Sequence, residues 1–245
     1  MQENWPLYAH EMGELSDILR RLYQEQLEQR PRDDYLRQHC EPRFLAGAIR
    51  VFQFYEPYLP AVGRVLDWGC RHAPDACLIH ARHADLEVDA CDILEPDSYP
   101  VFFRYARLRY QRLQDIVRLP YPDRSFDAVV ASGVLEHVPM DYESLKEIHR
   151  VLRPDGRLIV TYLPNRASAE EWRFRRRSQP FHARLYGRSE FRRLLLHTGF
   201  LPLAIGYQTR LDALRTGYHS AWLRFFGLHR LAACLCAVAT RTAYL

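Results

Sequence analysis

RVLDWGCRHAPD, residues 64–75, joins a short apolar run to an acid, a glycine turn and a helix start. Val65 and Leu66 predict a buried strand bounded by turn signals. Asp67 then falls at the strand's carboxyl end, the edge at which open α/β sheets bind their ligands. Gly69 supplies a backbone that can turn with positive φ and let a ligand approach. The helix that follows, from Asp75 through Ala84, leads to Leu86–Asp92, a second strand ending in an acid. Asp92 lies about twenty residues past the glycine turn, where a mononucleotide-binding unit places its ribose acceptor. On these residues alone, an ordinary strand, turn and helix of any doubly wound protein is the alternative.

A second block is more specific. Asp115-Ile-Val-Arg-Leu-Pro-Tyr-Pro-Asp-Arg-Ser-Phe-Asp127 precedes an apolar strand, Ala128 to Ala131, and then Ser132-Gly-Val-Leu-Glu-His-Val138. Together the two blocks resemble the class I S-adenosylmethionine-dependent methyltransferases. The family's first motif runs apolar-apolar-Asp-x-Gly-Cys-Gly-x-Gly, and its later block runs Asp-Ala-x-x-Leu-Pro-Phe-x-Asp-x-Ser-Phe-Asp, strand, Leu-Glu-His. Asp67, Gly69 and Cys70 match; Arg71 and Ala73 stand where the family has glycines.

The resemblance implies a Rossmann-like three-layer αβα sandwich with a seven-stranded, mostly parallel sheet, and S-adenosyl-L-methionine as cofactor. By the same resemblance, Asp67, Gly69 and Cys70 form the first cofactor loop. Asp92, followed by Ile93, accepts from the ribose hydroxyls. Asp115 accepts from the adenine amino group, and the backbone N–H of Ile116 faces a ring nitrogen. Ser132 and Gly133 lie along the methionine end. His137 is either a general base or a hydrogen-bonded structural histidine. No metal is implied.

Composition sets the frame. A chain of 245 residues carrying a net charge of +4 accommodates one α/β domain with extensions. The start, MQENWPLYAHEMGEL, has acids and no apolar core of a signal peptide, which predicts a cytoplasmic protein. The weakly polar run Leu231 to Thr240 is far short of the roughly 20 residues that span a bilayer. The six cysteines show no CxxC pair and read as reduced, mostly buried thiols. Lys146 is the only lysine, so the cationic side chains are almost all Arg.

Residues 1–60 read as a helical N-terminal extension and 61–245 as the methyltransferase domain. Met12, Leu15, Ile18, Leu19 and Leu22 fall at helical spacing, and Phe44, Ala48, Val51, Phe52 and Tyr55 mark a second helix. These helices are either a lid over a cofactor site or packing elements. Tyr142, Leu145, Ile148 and Leu152 define a helix, and Pro154-Asp155-Gly156 turns the chain into a strand from Arg157 to Leu163. Gly187 with Glu190 opens a further helix that Gly199 ends. Phe200 to Ile205 is the sixth strand, closed by Gly206, and a last strand falls within Cys234 to Tyr244.

Two insertions remain, near 165–187 and 207–230. From Arg166 to Arg193 nine arginines stand against Glu170, Glu171 and Glu190, more net positive charge than the whole chain carries. Arg175, Arg176 and Arg177, with Tyr186, form the predicted acceptor-binding patch, since guanidinium binds phosphate bidentately and aromatic rings pack on sugar faces. His182 is a second candidate base, against a packing role. This insertion also resembles that of bacterial methyltransferases linked to polysaccharide or lipopolysaccharide assembly. The expected acceptor is therefore a glycan, or a lipid-linked or nucleotide-linked sugar. RNA or a small molecule such as a quinone is the alternative acceptor, and a non-catalytic cofactor-binding relative is the alternative role. No DNA partner is expected. Ala221, Trp222, Phe225, Phe226 and Leu228 would line a substrate cavity, a dimer contact or a membrane surface, the last giving peripheral contact with the inner membrane or a biosynthetic complex.

Overall fold

The computed structural model describes residues 5–176, 182, 184–208 and 233–242. In β1 (Gly63–Trp68) successive side chains alternate between two buried clusters, Val65 on one face and Leu66 and Trp68 on the other. In β4 (Phe126–Ser132) Ala128 and Val130 join the first cluster, Val129 and Ala131 the second. Both faces are dry, which is why each strand reads as a nearly unbroken apolar run rather than an alternation.

Beside them lie β2 (Leu86–Asp92), β3 (Arg109–Arg112), β5 (Leu152–Pro164), β6 (Phe200–Gln208) and β7 (Cys234–Arg241), in the order β3-β2-β1-β4-β5-β7-β6. β1 to β5 pair in parallel, and β7 runs antiparallel between β5 and β6. This is the seven-stranded, mostly parallel, Rossmann-like sheet that the sequence predicts. The strand order reverses between β1 and β4, and a crevice opens at such a switch point beyond the carboxyl ends of the strands.

One face of the sheet carries α1 (Trp5–Gln29), α3 (Pro42–Tyr55), α4 (Pro74–Arg82) and α5 (Pro100–Tyr105); the other carries α6 (Asp141–Val151) and α8 (Arg188–His197). Leu15, Leu19, Leu22 and Tyr23 of α1 share one cluster with Val65 and Val130, so the N-terminal helices build the core of that face. Buried Gln26 fixes α1 to α5 by accepting from the Val101 N–H at 3.1 Å.

The structure departs from the predicted elements at four places. A short α2 (Asp34–His39) stands between the two predicted N-terminal helices, its first turn capped by Asp33 accepting from the Leu36 N–H at 3.1 Å. Tyr99 to Tyr110, unassigned from sequence, folds as α5 and the edge strand β3. β5 begins at Leu152, already paired with Phe126, and Pro154-Asp155-Gly156 forms an irregularity inside the strand before pairing resumes at Arg157. Gly206 lies within β6 and does not close it. The predicted insertion at 207–230 lies outside the described residues beyond Gln208. Among the described residues no helix is long and apolar enough to cross a membrane.

Candidate active site

The first loop leaves β1 through Gly69, whose φ is +68° and whose N–H donates to the Cys91 carbonyl at 2.8 Å. Arg71 (φ +48°) and Ala73 (φ +58°) keep left-handed backbone at the two positions where the family has glycine. The turn thus follows the glycine path with side chains attached, at a cost of about 1–2 kcal/mol for each residue. At Arg71 two contacts offset it: the N–H donates to Asp92 Oδ2 at 2.8 Å, and the guanidinium lies 3.7 Å from the centre of the Tyr35 ring. Arg71→Gly exchanges that cation–π contact, worth about 0.5–1 kcal/mol at an exposed site, for relief of comparable strain. Its thermal midpoint should stay within a few degrees of wild type and its affinity for S-adenosylhomocysteine should be retained. A tenfold or larger loss in calorimetry would show the guanidinium on the ligand.

Three acids gather here, two at strand ends and one at the start of α4. Asp92 Oδ1 accepts from its own Ile93 N–H at 2.7 Å and from Leu94 at 3.3 Å, so this carboxylate organises both the β2 end and the first loop. Asp67 is 1% exposed, and its Oδ2 has no hydrogen-bond partner among the described residues. Asp75, in the first turn of α4, accepts from the Tyr55 hydroxyl at 2.5 Å and is also bonded by Ser132. Ser132 in turn shares a 2.7 Å hydrogen bond with Thr161. Burial pushes the Asp67 carboxyl well above the usual range, and the nearby charge of Asp75 adds to it. Burial also raises Asp75, against the hydrogen bonds from Tyr55 and Ser132. Tyr162, on the bulged part of β5, holds a φ of +56° and is bonded to Gln208. A bulge with a non-glycine residue in the left-handed region re-aims a side chain.

A second group lies past β4. Gly133 turns with a φ of +67°, and Glu136 and His137 follow it. His137 Nε2 is 3.8 Å from Glu136 Oε1, with side-chain exposures of 67% and 3%. Burial pushes the Glu136 carboxyl up to about 7 and, with His182 second, pushes the His137 imidazole down. His182 Nδ1 meets Glu171 Oε1 at 2.6 Å, and its ring centre is 6.2 Å from that of His137. The two histidines predicted as candidate bases are therefore neighbours, each beside a buried glutamate.

Both groups line one cavity of about 830 Å³, walled on the N-terminal side by Tyr35, His39, Phe44 and Ala48. Every predicted cofactor residue except Asp115 lines it, and so do His137 and His182. Asp115 lies outside the lining: its Oδ1 accepts from Val117 N–H at 2.7 Å and Arg118 N–H at 2.9 Å, so the exposed carboxylate caps its own loop, next to Ile116 in the cavity wall. Tyr186 also lies outside the lining: it is buried, and its hydroxyl is bonded to Asp141 at 2.9 Å and to the Leu135 carbonyl at 3.2 Å, a bracing contact. Arg175 and Arg176, on α7 (Ala169–Arg176), are exposed and lie outside that lining, Arg176 over the Trp172 ring at 4.4 Å. Arg177 lies outside the described residues. Sequence reasoning missed Asp75, Tyr55, Tyr162, Glu136 and Glu171 as site residues. Of these only Glu136 carried a signal, as the middle of Leu-Glu-His.

Fold and cavity define an α/β protein with a ligand-sized cavity at the switch point of its sheet. Residues 23–204 match the family model described as methyltransferase domain, so the chain belongs to the S-adenosylmethionine-dependent methyltransferase family. It is 34% identical over 141 residues to a probable S-adenosylmethionine-dependent methyltransferase of Mycobacterium tuberculosis, covering 58% of this chain and 50% of that protein. It is 35% identical over 115 residues to 27-O-demethylrifamycin SV methyltransferase of Amycolatopsis mediterranei, covering 42% and 39%. The chain spans half or less of the length of these two relatives. The crystal structure of 1,6-didemethyltoxoflavin-N1-methyltransferase from Burkholderia thailandensis, with its substrate and S-adenosylhomocysteine bound, superposes with a TM-score of 0.61. That match has 21% identity over 94% of this chain and 90% of the other, and it shows a shared fold.

Proposed function

We propose that this chain binds S-adenosylmethionine at the carboxyl ends of β1, β2 and β4 and transfers its methyl group to a small acceptor held in the same cavity. One observation carries the reading: the predicted cofactor positions, Asp115 excepted, line one cavity together with both candidate bases. Its volume lies at the upper end of the roughly 300–1,000 Å³ typical of small-ligand sites, leaving room for a second molecule beside the cofactor. The residues present fit the cofactor's chemistry. The left-handed turn at 69–73 brings backbone close to a ligand, Asp92 offers carboxylate lone pairs toward vicinal hydroxyls, and the Asp67–Asp75 pair suits the cationic methionine end. The cofactor supplies an electrophilic methyl; the chain orients the acceptor, excludes water and receives its proton. Two of the relatives are named for action on 27-O-demethylrifamycin SV and on demethylmenaquinone, which agrees with a small acceptor.

Labelled-methyl transfer to a panel of phenols, amines, quinols and phosphorylated sugars tests the acceptor, with calorimetry of S-adenosylhomocysteine testing the cofactor. In Asp92→Ala the Arg71 and Ile93 N–H groups and the ribose hydroxyls all lose their acceptor. A hydrogen bond to a charged group is worth about 1.5–3 kcal/mol, so the affinity should fall roughly 10- to 100-fold. Wild-type affinity in that variant would remove Asp92 from the site. A second reading, an anionic glycan or a lipid-linked or nucleotide-linked sugar, is supported by exposed Arg175 and Arg176 beside Trp172, which is 60% exposed. It requires an acceptor long enough to leave the cavity and reach α7. The expected contact with the inner membrane or a biosynthetic complex concerns residues outside the described ones.

A further inference from the structure

We propose that Glu136 takes the proton from the acceptor's nucleophile and that His137 passes that proton to solvent. The proposal rests on the methyl-transfer reading above and adds the class of acceptor: one that reacts through an O–H or N–H group. Glu136 has a side chain only 3% exposed, yet it lines the cavity, and its Oε2 has no hydrogen-bond partner among the described residues. The carboxyl accepts from its own backbone N–H, but a buried carboxylate oxygen left without a donor, as Oε2 is, costs free energy. The group it lacks is a hydrogen-bond donor, and the open space beside it is where a ligand would supply one. Gly133 helps to keep that space: a Cβ there would stand 3.8 Å from Glu136 Oε1 and 3.9 Å from the Tyr162 Cβ.

The surroundings provide a route out for the proton. His137, mostly exposed, has its Nε2 3.8 Å from Glu136 Oε1, so a protonated Glu136 is one short step from a group in contact with water. Among the described residues, His182, paired with Glu171, faces His137, and Tyr162 from β5 flanks Gly133. Burial places the Glu136 titration close to neutrality, which suits a group that must both accept and release a proton. In the step, the acceptor's lone pair bonds to the methyl carbon, and the C–S bond breaks with its electron pair going to sulfur. The acceptor proton goes to Glu136 Oε2 and leaves through His137 to water.

The test uses the full chain saturated with S-adenosylhomocysteine, with hydroquinone and phenethylamine as O–H and N–H probes. In ¹³C spectra the Glu136 carboxyl should titrate near pH 7, and at least one probe should shift it. Glu136→Gln should lower transfer from labelled S-adenosylmethionine to the responding probe at least 100-fold. Its affinity for S-adenosylhomocysteine should stay within twofold, and Glu136→Asp should recover part of the rate. Because Gln stays neutral, Glu136→Gln should also melt several degrees higher at pH 8. If neither probe moves the Glu136 signal, or if Glu136→Gln transfers at the wild-type rate, the proposal fails. If S-adenosylhomocysteine does not bind wild type at all, the cofactor reading has failed instead. If His182→Gln abolishes transfer while Glu136→Gln does not, the base is His182 held by Glu171.

Discussion

Gly69→Ala is expected to abolish measurable cofactor binding and to destabilise the fold by about 2–5 kcal/mol. A Cβ built at Gly69 lies 2.6 Å and 2.8 Å from the two Val134 methyl carbons and 3.3 Å from the Val134 Cβ. Rotating Val134 moves its methyls but not its Cβ, so the loop itself has to shift. Left-handed φ adds about 1–2 kcal/mol for any residue with a side chain. The Gly69 N–H bond to Cys91 ties this turn to the end of β2, so a displaced loop also displaces Asp92. Urea unfolding should show the loss, and calorimetry with S-adenosylhomocysteine should show no heat. Gly69→Ala combined with Val134→Ala separates the two causes. Removing the Val134 methyls should restore the packing part, a coupling of about 1–3 kcal/mol, and leave the φ strain. Wild-type stability in the single variant would mean that the loop has freedom the structure does not show.

The parts of this fold that the sequence reveals are those whose residues act through local chemistry. β1 and β4 are legible because strands buried on both faces read as nearly unbroken apolar runs, and β2, which carries Glu87 and Asp89, because it follows a helix and ends in an acid. Asp92 is legible as a site residue because its spacing from Gly69 is fixed by one helix and one strand. α2 is not, because six residues are too few to show a period. Asp115 matches its motif, but an exposed Asp followed by free N–H groups satisfies itself locally. Asp75 and Glu136 become site residues through burial, which sequence position does not disclose. Tyr162 carries no glycine to announce its left-handed turn. The Arg-rich segment is legible as charge and silent about place: Arg184 reads like its neighbours but donates to the Val138 and Pro139 carbonyls, at 3.0 and 2.9 Å.

Between pH 7 and 8.5 the wild-type protein should lose stability as pH rises, and Asp75→Asn should flatten that dependence. Asp67 and Asp75 are both pushed up by burial, and Asp75 is a further cause of the Asp67 shift. Below the unfolded carboxyl value of about 3.9 both states are protonated and the pair contributes no slope. Above it the unfolded chain has released its protons, while the native pair, raised by burial, holds a proton to higher pH. Stability then falls by about 1.4 kcal/mol per pH unit until the native pair ionises. Other groups confine the clean reading to this interval. His39, His72, His80, His137 and His149 are pushed down chiefly by burial, which raises stability with pH only until unfolded histidine is neutral, near 6.5. Glu136 is spent by about 7, and the raised thiols act only above about 8.5. Asn at position 75 still accepts from the Tyr55 hydroxyl but carries no charge, so the variant should be more stable than wild type at pH 8. It should also bind S-adenosylmethionine more weakly, because a cationic ligand that displaces the shared proton meets two carboxylates in the wild type and one in the variant, which is the usual exchange of stability for function at such a site. Urea titrations of both proteins at half-unit steps of pH decide it. Parallel curves would show that the native pair holds no proton in this range and that both carboxylates are ionised beneath the cavity.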